Sequence, residues 1–443
     1  MLNLLGIWNQ NSQTTFLHKL LPKKARIKNT QQKFCLSIIT QFYPPDYAAT
    51  GQLIQELATQ LGDENIRVSV FTGQPGYAFS KRKAPRIEEK QRVKVKRTRA
   101  AQLLSKKIMG KALNGIIFSM RAALHIIRHR KKNDVLLLTT APPFLFTVGY
   151  LANLLFNIPY VCLVYDLYPD VVTEFGLISR QNAIAKLWDW CNDRIWSRAK
   201  GIIVLSDTMK ARIVAKHPRA NSKIAVIHNW ANADWIKPIA KSQNWFASEH
   251  GTDHKFTVLY SGNLGRCHDS DTILGAIRLL KDDDVRFVFI GAGAKHESCR
   301  QKIQEWGLLN CSFLPYQDRS CLPYSLTACD LALVTIAPGM EGVVVPSKLY
   351  GVMAAGRAIA AICEPHSYLR RLIDDASCGA YFDNNDSEGL AEFIRFLAKD
   401  SETSRKMGQA GRKYLEENFT PQIIAQQYQE VLDPQNQSTI VRW

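Results

Sequence analysis

Within EGVVVPSKLYGVMAAGRAI (residues 341–359) an acid, Glu341, precedes Pro346, Ser347 and Lys348, and small apolar residues follow. Pro346 suits a first helical position, so the pattern predicts a helix N-terminus at 346–348. There the ammonium of Lys348 and a positive helix end could hold an anion of diphosphate grade, while Glu341 could accept hydrogen bonds from a ligand's hydroxyls. The plainer reading is a buried helix of small residues with Lys348 on the surface. Gly351 is the oddity, because Gly inside a helix costs about 1 kcal/mol relative to Ala.

A second candidate is SGNLGRCHDSDT (261–272), predicted to join a strand to a helix. Gly262 and Gly265 would let backbone approach a ligand closely, and Arg266 could pair with anionic oxygens. FIGAGAKHES (289–298) resembles a dinucleotide fingerprint only in part: the third glycine would fall at His296, and no acid stands about twenty residues on. Asp269-Ser270-Asp271 and Asp282-Asp283-Asp284 read as a helix cap and a turn rather than metal ligands. No G-x-S-x-G elbow, H-E-x-x-H pair or Cys/His zinc spacing occurs.

The elements that must position these residues alternate. FCLSIITQFYPP (34–45), NIRVSVFTG (65–73), VLLLTT, PYVCLVYD and GIIVLSD (201–207) read as strands separated by helices, beginning with AATGQLIQELATQL (48–61). After a polar, irregular stretch at 229–255 the alternation restarts. Its strands are FTVLYSGNLG (256–265), VRFVFIGAG (285–293), CSFLPY (311–316), DLALVTI (330–336) and AIAAIC (358–363), with DTILGAIRLL (271–280) a helix. The tail, 404–431, reads as two helices broken at Pro421. Two such runs in 443 residues predict an α/β chain of two parallel-sheet domains, with a ligand cleft between the facing carboxyl ends of the strands. The expected division is an arm at 1–33, a first domain at 34–235, a second at 250–420, and a C-terminal helix at 421–443 returning toward the first domain.

Charge is localised. Residues 81–132 hold eighteen basic side chains against Glu88 and Glu89, and residues 1–33 hold six with no acid, so outside these two segments the +18 total turns negative. A basic belt and arm fit an anionic lipid surface or nucleic acid. Stacking on bases would need interleaved aromatics, and the belt has only Phe118, so nucleic acid is the weaker partner. From Leu103 to Lys132 the pattern predicts a helix. Its apolar stripe (Leu104, Ile108, Ala112, Ile116, Met120, Leu124, Ile127) would pack on the first sheet. Lys106, Lys107, Lys111 and Arg121 would form a membrane face.

The charge-free run 135–165 is divided by Pro142-Pro143 and Pro159, and so reads as strand–helix–strand rather than a membrane span. Leu2–Trp8 is too short and wrongly flanked for a signal peptide. Ten scattered cysteines suggest a reducing cytoplasm, which points to peripheral association with a membrane's inner face.

From about residue 34 to 430 the chain resembles the family-4 retaining glycosyltransferases of the GT-B fold, especially the colanic-acid type of exopolysaccharide biosynthesis. The resemblance is carried by the order and spacing of YPPDYAATGQLIQELATQL, VYDLYPDVVTEFGLI (164–178), HNWANADWIKP (228–238), YSGNLG, FIGAG and EGVVVPSKLYGVMAAGRAI. It implies two Rossmann-like domains and sugar transfer from a nucleotide sugar, UDP- or GDP-linked, to a lipid-linked or polysaccharide acceptor. Anomeric configuration would be retained, without metal or cofactor.

By position it places Glu341 against the donor sugar and Gly262, Arg266 and Lys348 around the diphosphate, with Asn263, Gly265 and Ser347 also among the donor-binding residues. Gly51 would close on the diphosphate from the opposite domain. Tyr316 falls at the nucleotide base and Asp166 on the acceptor side. Two positions depart from the pattern: Asn263 replaces an arginine, and Gly351 stands where a second glutamate holds the ribose. A binding protein of the same fold that has lost catalysis is therefore the alternative, ahead of a basic nucleic-acid-binding protein.

Overall fold

The computed structural model describes residues 33–46, 48–75, 84–90, 92–99 and 108–436. The arm to residue 32, with Lys106 and Lys107 of the belt, lies outside the described residues, as do the side chains of residues 108, 109 and 111, hence Lys111.

The first half alternates as its hydrophobic runs dictate. Its elements are β1 (Cys35–Ile39), α1 (Ala49–Asp63), β2 (Arg67–Gly73), β3 (Ile87–Lys90), β4 (Val93–Thr98), α2 (Ile108–His129) and β5 (Val135–Thr139). Then come α3 (Leu145–Phe156), β6 (Tyr160–Val164), α4 (Asp170–Glu174), α5 (Ala183–Arg198), β7 (Gly201–Val204), α6 (Asp207–Lys216) and β8 (Ile224–Val226). The sheet order is β3-β4-β2-β1-β5-β6-β7-β8, parallel except for β3. β5, β6 and β7 are buried at every residue, as a parallel sheet covered on both faces requires. The charge-free run is thus β5–α3–β6, and among the described residues no helix is long and apolar enough to cross a membrane.

The second half contains α7 (Trp245–Glu249), β9 (Phe256–Asn263), α8 (Asp271–Leu279), β10 (Val285–Ala292), α9 (His296–Glu305) and β11 (Cys311–Leu314). It continues with α10 (Leu322–Thr327), β12 (Leu331–Thr335), α11 (Lys348–Ala354), β13 (Ala358–Ile362), α12 (Tyr368–Ala376), β14 (Gly379–Phe382), α13 (Ser387–Lys399), α14 (Ser401–Asn418) and α15 (Pro421–Leu432). This sheet runs β11-β10-β9-β12-β13-β14, all parallel. β9 and β10, neighbours in this sheet, end at the glycine-bearing SGNLG and FIGAG turns.

The halves are joined by more than a linker. Trp230, Ile236 and Phe246, in the irregular stretch, are core residues, and Arg412 donates to the carbonyls of Ala233 and Ile236. α15 returns to pack on α1, with Tyr428 edge-on to Trp230. One apolar cluster accordingly runs from Leu57 and Leu163 through Trp230 to Leu259, Val352 and Tyr428. Two further clusters fill the outer faces of the two sheets.

The expected orientation of α2 is reversed. Ile116, Met120, Leu124 and Ile127 are exposed, whereas Phe118, Ser119, Ala122, His125 and Ile126 are buried against the sheet. The apolar stripe has a clear helical period, yet it is the side left outside. The choice is made by fit. Gly115 sits where a methyl would stand 2.9 Å from Pro142, so the helix can come close there. Ser119 satisfies its hydroxyl on the Gly115 carbonyl at 2.9 Å. The His125 ring stacks on Phe71 at 4.4 Å, and burial pulls its pKa down to about 3, so it enters the core neutral. Arg121, expected on a membrane face, donates instead to the backbone carbonyl of Arg99.

Candidate active site

β9 and β10 run in parallel register with Gly262 opposite Gly291, and their ends make one glycine-lined floor. Gly291 has φ of 131°, and a methyl there would stand 2.2 Å from the Gly262 carbonyl oxygen and 3.3 Å from the Tyr316 ring. Only glycine permits this approach of two loops. It brings Tyr316, at the end of β11, over the same floor. A methyl at Gly265 would touch the Asn263 amide at 3.0 Å, so glycine leaves room for that side chain beside the loop.

Lys348 completes this group. It opens α11, and its Cε lies 3.8 Å from where a Cβ on Gly262 would be. The ammonium sits 3.7 Å from the centroid of the Tyr260 ring and donates to the Tyr260 hydroxyl, which in turn donates to the Asn263 carbonyl at 3.0 Å. Burial pulls the Lys348 pKa down to about 7 and raises that of Tyr260. Burial, then the neighbouring Lys348, holds His268 neutral with a pKa down to about 2, and its Nδ1 accepts from the Gly265 amide at 3.2 Å. Lys295 donates to the His268 carbonyl at 2.8 Å. A lysine held near neutrality beside glycine backbone is poised to regain its full charge when an anion arrives.

Several expectations need correction. α11 begins at Lys348, has seven residues, and its N-cap Ser347 makes no capping bond. So short a helix offers a weak dipole, and any anion site here rests on the Lys348 ammonium. Gly51 is buried against its own β1–α1 loop: a methyl there would meet Phe42 and Tyr43 backbone at 3.0 Å. It serves packing within the first half. Arg266 is exposed at the rim. Gly351 is half-buried, with a methyl position 3.3 Å from Leu326. Asp269 caps α8, accepting from the Asp271 and Thr272 amides at 3.1 and 3.0 Å.

Glu341 faces elsewhere. It is 2% exposed, and its Oε1 accepts from the Thr208 hydroxyl at 2.5 Å, at the start of α6 in the first half. Its Oε2 is buried without a hydrogen-bond partner among the described residues. Arg212 donates to the Glu341 carbonyl at 3.1 Å while pairing with Asp170 at 3.1 Å and with Glu174. Gly342, at φ 71°, takes the closest approach, since a methyl would stand 2.7 Å from the Thr208 carbonyl. Next to this contact Asp166 forms a β-bridge with Val344, and the Leu167 amide donates to the Val343 carbonyl at 2.9 Å. Burial pushes the Asp166 pKa up to about 6, and its charge is felt by Tyr168 and by Cys267 of the β9–α8 loop. Asp166 therefore stands where the two halves meet.

Residues 49–230 match the model described as Glycosyl transferase 4-like domain, and residues 241–414 that of Glycosyl transferases group 1. Together the two models take in most of the chain. The chain thus pairs a glycosyl transferase 4-like domain with a glycosyl transferases group 1 domain. Over 333 residues it is 28% identical to "Probable glycosyltransferase WbjE" of Pseudomonas aeruginosa, covering 74% of this chain and 81% of that protein. WcaI of Escherichia coli K12, a protein named for colanic acid biosynthesis, is 31% identical over 122 residues, 28% of this chain and 30% of its own length. The fold is similar to that of Anabaena HepE in complex with UDP and glucose, at a TM-score of 0.67 and 16% identity over 91% of this chain and 99% of that one. The two parallel-sheet halves of this glycosyltransferase are thus the two domains of the GT-B fold.

Tyr260, His268, Lys295, Thr208 and Arg212 were not singled out in the sequence. FIGAG carried the signal for Gly291. Arg212 and Thr208 carry none, because their partners lie 129 and 133 residues away in the chain.

Proposed function

We propose that this glycosyltransferase moves a sugar from a UDP- or GDP-linked donor to a lipid-linked or polysaccharide acceptor in exopolysaccharide assembly, with retention of configuration. The observation that carries the reading is Lys348 held against the Gly262 loop at the facing ends of the strands. As the diphosphate leaves, it gains negative charge; the Lys348 ammonium, helped by Arg266 at the rim, stabilises that charge electrostatically. Tyr316 lies over Gly291, where a nucleotide base attached to that diphosphate stacks. The unpartnered Oε2 of Glu341 accepts from a hydroxyl of the sugar, and Thr208 keeps it aimed while the halves exclude water. Asp166 faces the acceptor. The acids Asp269, Asp271 and Asp283 are spent on capping and on pairs with Lys302 and Arg395, so the reading needs no metal.

HepE, whose fold is similar, was captured with UDP and glucose, which makes UDP-glucose the first donor to try. Purified protein incubated with a panel of nucleotide sugars should release nucleoside diphosphate, with turnover unchanged by a chelator. Absence of turnover across UDP- and GDP-linked donors, with binding intact, would favour a second reading. That reading is a nucleotide-sugar-binding protein without catalysis, and Gly351, which offers no carboxylate to a ribose, is the residue that motivates it. We further place the protein at the inner membrane face, with its basic first third toward anionic lipid.

A further inference from the structure

The reversal of α2 leaves apolar side chains where charges were expected. Leu113, Ile116, Met120, Leu124 and Ile127, at helical spacing, are between 39% and 63% exposed along the whole helix. Single exposed apolar residues are ordinary, but a continuous stripe is not. The neighbouring helices extend it. α3 exposes Leu154 and Leu155, and α5 exposes Leu187 and Trp190. These three helices pack side by side on one face of the first sheet: Arg130, just after α2, lies 5.5 Å over the Phe156 ring of α3, and Arg198 of α5 donates to Asn153 of α3 at 2.7 Å. Their outer sides therefore point the same way.

The charges on this face are of one sign. α2 and α3 contain no acid at all. Arg128, Arg130, Lys131 and Lys132 are exposed at the end of α2, and Arg194 covers the Trp190 ring at 4.0 Å. The acids of α5 turn away, Asp189 toward Lys216 and Asp193 toward His217. A strip of large apolar side chains bordered mainly by cations matches the interface of an anionic bilayer, with acyl chains below and phosphates at the level of the arginines. A soluble protein partner would meet the same apolar strip but has no general reason to be uniformly acidic around it.

We propose that the outer face of α2, α3 and α5 inserts into the surface of an anionic phospholipid leaflet, so that attachment rests on buried apolar side chains and not on the basic belt alone. The face leads to the cleft: Trp188 of α5 stacks between Phe144, at the start of α3, and Tyr168, at 5.0 and 5.7 Å. Tyr168 stands two residues from Asp166, so an apolar path joins the bilayer to the acceptor side. The inference takes its purpose from the transferase reading but not its test.

The full chain is mixed with vesicles of phosphatidylglycerol and phosphatidylcholine in equal parts, and floated at low salt and at about 1 M salt, where the screening length falls to about 3 Å. Insertion predicts that much of the protein still floats at high salt, and that Ile116→Ser/Met120→Ser/Leu124→Ser lowers partitioning at least tenfold with unchanged circular dichroism and melting. Arg128→Gln/Lys131→Gln should weaken flotation only at low salt. Complete detachment at high salt, or full flotation of the folded triple serine variant, overturns insertion. So does a lipid-free dimer that the triple variant dissociates in a protein that ignores vesicles. If the triple variant fails to fold, Met120→Ser alone replaces it, with a severalfold loss expected and no loss contradicting the proposal. Donor turnover by a protein that ignores vesicles would sink this inference alone; flotation without turnover would sink only the transferase reading.

Discussion

Glu341 and Lys348 stand in one short segment, yet the molecule uses them in opposite directions. Lys348 belongs wholly to the second half, resting on Tyr260 beside the Gly262 loop. Glu341 is gripped from the first half by Thr208, with Arg212 on its carbonyl. The proposed anion-binding group is therefore complete within one domain, whereas the acid is positioned only when the two domains meet. On the proposed reading, a donor binds before closure and the sugar's contact is conditional on it.

The sharpest break of that comparison is at Lys348. Lys348→Ala should lower kcat/KM by roughly ten- to a hundredfold or more, the 1.5–3 kcal/mol of a charged hydrogen bond, while the melting temperature stays near wild type or rises because a buried cation is removed. Steady-state kinetics on the folded variant checks it, and unchanged kinetics would place the diphosphate elsewhere.

The next largest effects lie at the domain contact. Thr208→Val leaves the Glu341 carboxylate buried with neither oxygen paired, which should cost about 1–3 kcal/mol. Gly342→Ala, forced to φ 71° and against the Thr208 carbonyl, should cost about as much or more. Both should lower kcat and melting temperature while leaving affinity for free UDP or GDP within a few-fold, measured by calorimetry. A nucleotide affinity lost in step with Lys348→Ala would merge the two regions into one site and end the distinction. The smallest effect is expected at Gly351: Gly351→Glu must displace Leu326 by a few tenths of an ångström and should change stability by about 1 kcal/mol or less, with tighter nucleotide binding if the side chain reaches a ribose.

The architecture was legible in the sequence wherever burial writes its own pattern. β5, β6 and β7 are unbroken apolar runs because both sides of a parallel strand are covered, and the SGNLG and FIGAG turns announce themselves because only glycine fits there. α2 was misjudged for the converse reason: its apolar stripe has a clear helical period but faces outward, and a glycine, a serine and a neutral histidine decided which side is inside. Lys348 was found because its proline and glycines are neighbours in the chain. The Thr208 and Arg212 grip was not, since it depends on a contact between domains that no local spacing encodes.

Whether Lys348 meets the donor's diphosphate is decided by proton uptake on binding. In the free protein burial holds the Lys348 pKa at about 7, so at pH 8 the group is largely neutral. A diphosphate favours the ammonium and raises that pKa. Affinity is therefore full below about pH 7 and weakens as pH rises between the free and bound values, by up to about tenfold per unit. Calorimetric titration with UDP and with GDP at pH 8, in buffers of differing ionisation enthalpy, should show close to one proton taken up by the wild type and none by Lys348→Met. Binding with no proton uptake by the wild type, or equal uptake by the methionine variant, would contradict that contact.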